Sequence, residues 1–164
     1  MTTEKLSSKN YFKALSILHI ALMAGIVLFG VIITLLLLMV KRSFDTALSN
    51  VFNYVVSIIS VAGILASKIV FKKKLDQIPA DATLATKMTD YRAALILSYA
   101  LLEGPALFAI ISAFVTGSFT LLIFAGIMVL FMLQARPRQQ KVISDLALDD
   151  SEIIVLEDPD GIIE

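Results

Sequence analysis

The stretch AALILSYALLEGPALFAIISAFV, from Ala93 to Val115, decides the fold. As a helix rising 1.5 Å per residue it is ~34 Å long, enough to cross the ~30 Å hydrocarbon core of a bilayer. One ionisable residue interrupts it, Glu103, close to its midpoint. An ionised carboxylate at that depth costs on the order of 2.5–3.5 kcal/mol, so it signals a partner, a proton or an ion.

Composition extends the same reading to the rest of the chain. It is 58% hydrophobic and 17% charged, with a mean hydropathy of +0.87, which excludes an ordinary soluble domain of 164 residues. Apolar spans are expected at about 14–40, 51–71, 93–115 and 119–135, within a transmembrane domain of residues 14–141. The first could be mistaken for a signal peptide. It has no short apolar region followed by a small-residue cleavage site, and it ends at Lys41 and Arg42, so a retained helix is expected.

Charge gives the orientation. Lys5, Lys9 and Lys13 precede the first span; Lys68, Lys72, Lys73, Lys74, Lys87 and Arg92 flank the middle connection; Arg136, Arg138 and Lys141 follow the fourth span. Of the 14 basic residues only Lys41 and Arg42 fall on the other side. The positive-inside rule therefore predicts cytoplasmic termini. The expected fold is an all-α membrane protein of four transmembrane helices in two tandem antiparallel hairpins, N-in and C-in. Residues 1–13 form a cytoplasmic N-terminal segment and residues 142–164 an acidic cytoplasmic tail. The tail reads as mobile, either disordered or offering its apolar run Ile153, Ile154, Val155 and Leu156 as a strand to a partner. Residues 72–90 read as a loop with a short surface helix, and Thr116, Gly117 and Ser118 as a turn tight enough to make the last two spans antiparallel neighbours.

The chain also repeats itself. Ala14–Ile33 and Ala93–Ser112 share Ala14/Ala93, Leu18/Leu97, Ala21/Ala100, Gly25/Gly104, Leu28/Leu107 and Ile32/Ile111, among other identities. These positions alternate spacings of four and three, the period of a left-handed packing seam, and Ala21 with Gly25 and Ala100 with Gly104 are small pairs that allow close helix approach. A duplicated hairpin with a self-associating face is expected, with Ala21, Gly25, Ala100, Gly104 and Pro105 as packing residues. Glu103 borders that face.

Pro105 cannot donate a backbone hydrogen bond, which frees the Leu101 carbonyl one turn below. Glu103, Leu101 and Tyr99 are accordingly the candidate ion- or proton-binding group, with Tyr99 the best-placed hydroxyl among Tyr91, Ser98, Tyr99 and Ser112. A structural alternative has Glu103 protonated and donating to a neighbouring hydroxyl. His19 reads as an interfacial hydrogen-bonding residue.

The segment from Tyr99 to Phe108, with Glu103-Gly104-Pro105 inside a duplicated hairpin, resembles the proteolipid c subunits of rotary ATPases. It is equally similar to small four-helix bacterial membrane proteins with a duplicated hairpin and an Ala-x-x-Glu pattern in the third helix, here Ala100 and Glu103. The first resemblance implies a proton or a sodium ion carried on Glu103; the second implies a bacterial membrane, and the expected location is the bacterial cytoplasmic (inner) membrane.

With no cysteine, one histidine, no nucleophile-base pair and no phosphate-cradling glycine loop, no catalytic residues, metal site or enzyme activity are expected. Basic residues confined to helix ends argue against nucleic acid. The expected partners are the lipid bilayer and a second copy or a larger membrane complex. The function read from the sequence is a non-enzymatic structural or accessory subunit, with a proton- or sodium-handling proteolipid-like subunit as the alternative.

Overall fold

The computed structural model describes residues 6–39 and 46–163; Lys5, Lys41 and Arg42, on which part of the charge reading rests, lie outside the described residues. The elements are β1 (Leu6–Ser7), α1 (Ser8–Met39), α2 (Thr46–Leu75), α3 (Leu84–Thr116), α4 (Thr120–Gln134), α5 (Gln139–Leu146), α6 (Asp150–Glu157) and β2 (Ile162–Ile163). The described residues are helical apart from a two-residue antiparallel pairing of β1 and β2. α1, α2 and α3 are each long and apolar enough to cross a membrane.

Local chemistry accounts for the boundaries. α3 starts where the Thr83 side chain caps the Thr86 amide, so the connection shrinks to residues 76–83 and the expected separate surface helix is instead the first turns of α3. It runs unbroken through Pro105 and ends at Gly117, whose φ of 74° is open to glycine without strain. α4 has only 15 residues, ~22 Å of helix. It stops before Pro137, which has no amide to donate and disfavours helical backbone at Arg136. α5 leaves at 77° to it.

α3 is the hub. Half of its most apolar window is buried, against 17% for α1 and 22% for α2. α1 and α2 each pack mainly on α3 and α4. Contacts rise together along α1 and α3, from Tyr11 at Met88 through His19 at Tyr99 to Gly30 at Ile110, so these helices run the same way. They run in opposite order along α2 and α3, from Phe52 at Phe108 through Ser67 at Ser98 to Phe71 at Tyr91.

The C-terminal segment corrects the expectation of a mobile tail. Ile153–Leu156 is helical within α6, started by a reciprocal capping box in which Asp149 accepts from the Glu152 amide and Glu152 from the Asp149 amide. Leu156 is buried, and its carbonyl accepts from Ser8 Oγ at 2.6 Å and from Gln139 Nε2 at 2.8 Å. Lys87 Nζ meets Glu152 Oε1 at 2.7 Å with both side chains almost covered. Tyr91 donates to Asp145 at 3.2 Å. The two described chain ends and the 76–83 connection therefore gather at one end of the helices.

Candidate functional site

The membrane-depth site grows out of Pro105. The Leu101 carbonyl that it frees lies against α2 at Gly63, where an added Cβ would sit 2.8 Å from that oxygen and 2.6 Å from Pro105 Cγ. Glycine is required there because two backbones meet. One turn along, the Ser67 and Ser98 hydroxyls bond at 2.7 Å, and Ser67 also lies 3.1 Å from the Ser98 carbonyl. Gly63 and Ser67 thus form the close seam between α2 and α3, and Pro105 is buried in it.

Glu103 stands elsewhere. Two residues from Leu101, it is turned about 200° around the helix, away from α2. It is half-buried, with no hydrogen bond or ion pair among the described residues. The expected grouping of Glu103 with Leu101 and Tyr99 is not formed. Tyr99 donates to the Ala135 carbonyl at 2.9 Å. The other candidate hydroxyls are also committed: Tyr91 to Asp145, Ser98 to Ser67, and Ser112 to the Phe108 carbonyl at 2.7 Å.

The expected packing seam faces outward. Ala21, Gly25, Ala100 and Gly104 are exposed, and a Cβ on Gly25 or Gly104 would meet nothing within 4 Å. Among the described residues, the space beside the two glycines is open. Glu103 borders this outer face of α3.

His19 was expected to hydrogen-bond at the interface. Instead it is 2% exposed, its ring 5.0 Å from that of Tyr99, and neither ring nitrogen has a hydrogen-bond partner among the described residues. Sequence reasoning gave Gly63 no packing role; it stood out only in the weak match of Ala62-Gly63-Ile64 with Ala125-Gly126-Ile127. It also missed the Lys87–Glu152 pair, which joins positions too far apart in the chain to suggest each other. No cluster of three His, Asp or Glu side chains able to hold a metal occurs among the described residues.

The chain matches no protein-family model, no curated protein and no solved structure.

Proposed function

We propose that this protein is a non-enzymatic accessory or structural subunit of the bacterial cytoplasmic membrane, which self-associates or docks on a larger complex through the outer face of α1 and α3. The observation that carries this reading is the pairing of an exposed small-residue stripe with a carboxyl beside it that has no partner among the described residues. Gly25 and Gly104 leave room for another helix backbone, and small residues are what helix association in lipid selects. A second helix there would remove Glu103 from lipid and give its carboxyl a hydrogen-bond partner.

The same reading has four spans and cytoplasmic termini. Support comes from the meeting of both chain ends with the 76–83 connection at one end of the bundle, where the basic residues of the chain concentrate. The short α4 fits a crossing because the turn that feeds it is itself inside protein. Thr116, Gly117 and Ser118 are buried; Thr116 donates to the Ser112 carbonyl, and its hydroxyl accepts from the Ser118 amide. A turn with satisfied polar groups can sit below the bilayer surface.

Proton or sodium handling on Glu103 is the second reading, and the missing partner of the carboxyl favours it. The orientation of the Leu101 carbonyl toward Gly63 removes one ligand from that arrangement, so assembly is preferred.

The deciding experiment compares wild type with Gly25→Leu/Gly104→Leu and with Glu103→Gln in mild detergent. Assembly predicts a smaller complex for the double leucine variant at unchanged monomer stability, and a retained complex for Glu103→Gln, whose amide still donates and accepts. Unchanged mass in the leucine variant would sink the assembly reading. Carbodiimide labelling of wild type, slowed by sodium and lost in Glu103→Gln, would establish the ion-handling one.

A further inference from the structure

Beside the basic end of the bundle, and away from the α1/α3 face, lies a cavity of about 220 Å³ between α2, α4 and α5, floored by α3. Its lining divides by chemistry. Ile64, Phe71, Leu102 and Phe131 make an apolar wall, while Lys68, Lys141, Gln134 and the Ser67/Ser98 pair supply polar groups. The volume exceeds several waters at ~30 Å³ each, so the space admits a small polyatomic group with its first methylenes.

The two lysines are the informative part. Each is parked over an aromatic ring of the same cavity: Lys68 Nζ lies 5.4 Å from the centre of Phe131, and Lys141 Nζ 5.8 Å from that of Phe71. Neither is ion-paired among the described residues, although acidic residues are plentiful in the C-terminal segment. They come from distant parts of the chain, and the 77° bend after α4 is what carries Lys141 back over α2. Ring faces hold an ammonium group weakly enough for an anion to claim it. Lys68 sits within the long apolar helix α2, one turn before Lys72, Lys73 and Lys74, at the level where lysines reach out of hydrocarbon toward headgroups.

We infer that this cavity is a binding site for the phosphoryl group of an anionic phospholipid, with Lys68 and Lys141 as its paired cationic ligands, Gln134 as an amide donor, and the Ile64/Phe71/Leu102/Phe131 wall against the glycerol and upper acyl chain. The ligand chemistry is a phosphate monoanion joined to an apolar tail. The apolar wall selects the lipid over free phosphate, because a bare anion would gain nothing from four hydrocarbon side chains. The site lies on a different part of the molecule from the proposed assembly face and does not depend on it.

The test is native mass spectrometry of the detergent-purified full chain with added phosphatidylglycerol, phosphatidylcholine or inorganic phosphate. Wild type should retain phosphatidylglycerol in preference to phosphatidylcholine. Lys68→Gln/Lys141→Gln should weaken that binding on the order of 30-fold, about fivefold per lysine. Lys68→Arg/Lys141→Arg should keep it, and Lys73→Gln/Lys74→Gln, which loses the same charge outside the cavity, should leave it unchanged. Both cavity lysines are exposed residues, so these variants should fold as wild type does. Equal weakening by the Lys73/Lys74 variant would reduce the effect to diffuse surface charge and overturn the proposal. Equal retention of the two lipids would also overturn it, and binding of inorganic phosphate as tight as that of phosphatidylglycerol would assign the lysines to a free anion instead.

Discussion

Replacing Gly63 with alanine tests the packing of α2 on α3 at the point where the two come nearest. A Cβ at position 63 would sit 2.6 Å from Pro105 Cγ and 2.8 Å from the Leu101 carbonyl oxygen. Carbon atoms in favourable contact are about 3.5–4.0 Å apart, so the helices must separate by roughly 1 Å, which forfeits a quarter to a half of the dispersion energy of each facing pair. Pro105 is a rigid ring and Leu101 contributes main chain, so neither can swing aside. Overpacking of this kind costs about 1–3 kcal/mol, and the better helix propensity of alanine returns up to about 1 kcal/mol. The expected net loss is about 1–2 kcal/mol, around tenfold in the unfolding constant. The assay is unfolding in mixed micelles at increasing mole fraction of denaturing detergent, followed by loss of helical circular dichroism. Gly104→Ala and Gly126→Ala are the controls, since a Cβ at either position meets nothing within 4 Å, and both should be as stable as wild type or slightly more so. If Gly63→Ala proved as stable as wild type, or if the three variants lost stability equally, the close seam would not lie where it is described.

Truncation after Val142 should release much of the protein from its folded state in detergent, as judged by limited proteolysis of α1 and α3, because it removes the partners of Ser8, Lys87 and Tyr91. Lys87→Ala, which strands Glu152, should cost about 3 kcal/mol, the low end for breaking a buried pair, and Lys87→Met/Glu152→Leu should recover most of it in the same unfolding assay. The Asp149 carboxyl is held below its usual range by hydrogen bonds from the Ser151 hydroxyl and the Glu152 amide. Its contribution to α6 is therefore fully present above the unfolded pKa near ~3.9 and is lost as pH falls through the lower folded value. Amide exchange in α6 should rise below about pH 4 in wild type, and Asp149→Asn should show no such dependence in that range.

Apolar length made the long helices legible, because a run of side chains that water rejects leaves the backbone only a helix in lipid. The turn at Thr116–Ser118 was equally readable. The α1/α3 stripe was visible as a face, but a 3.5-residue period names no partner, and inside the chain α3 turns its Pro105 side to α2 instead. Tyr99 lay one turn from Glu103 in sequence, yet its long side chain reaches the end of α4 to satisfy the Ala135 carbonyl. The tail misled through composition: its carboxylates read as solvating charge, while the Asp149-x-x-Glu152 capping signature, present in the same residues, carried the correct answer. What holds α6 in place is long-range contact with Ser8 and Lys87, which no local pattern encodes.

The central position of α3 sets the order in which this molecule can be made. α1 and α2 leave the ribosome first, but their principal surfaces of contact are on helices not yet synthesised. Between α1 and α2 themselves there is little packing to hold them together. Emergence of α3 supplies the surface on which both settle, Gly63 against Pro105 on one flank and His19 against Tyr99 on the other. Closure comes later still, when Leu156 and Ile163 reach back to Ser8 and Leu6. A chain halted before Leu84 thus lacks the helix on which α1 and α2 pack, and the clasp to Leu6 and Ser8 forms only once α6 and β2 are made.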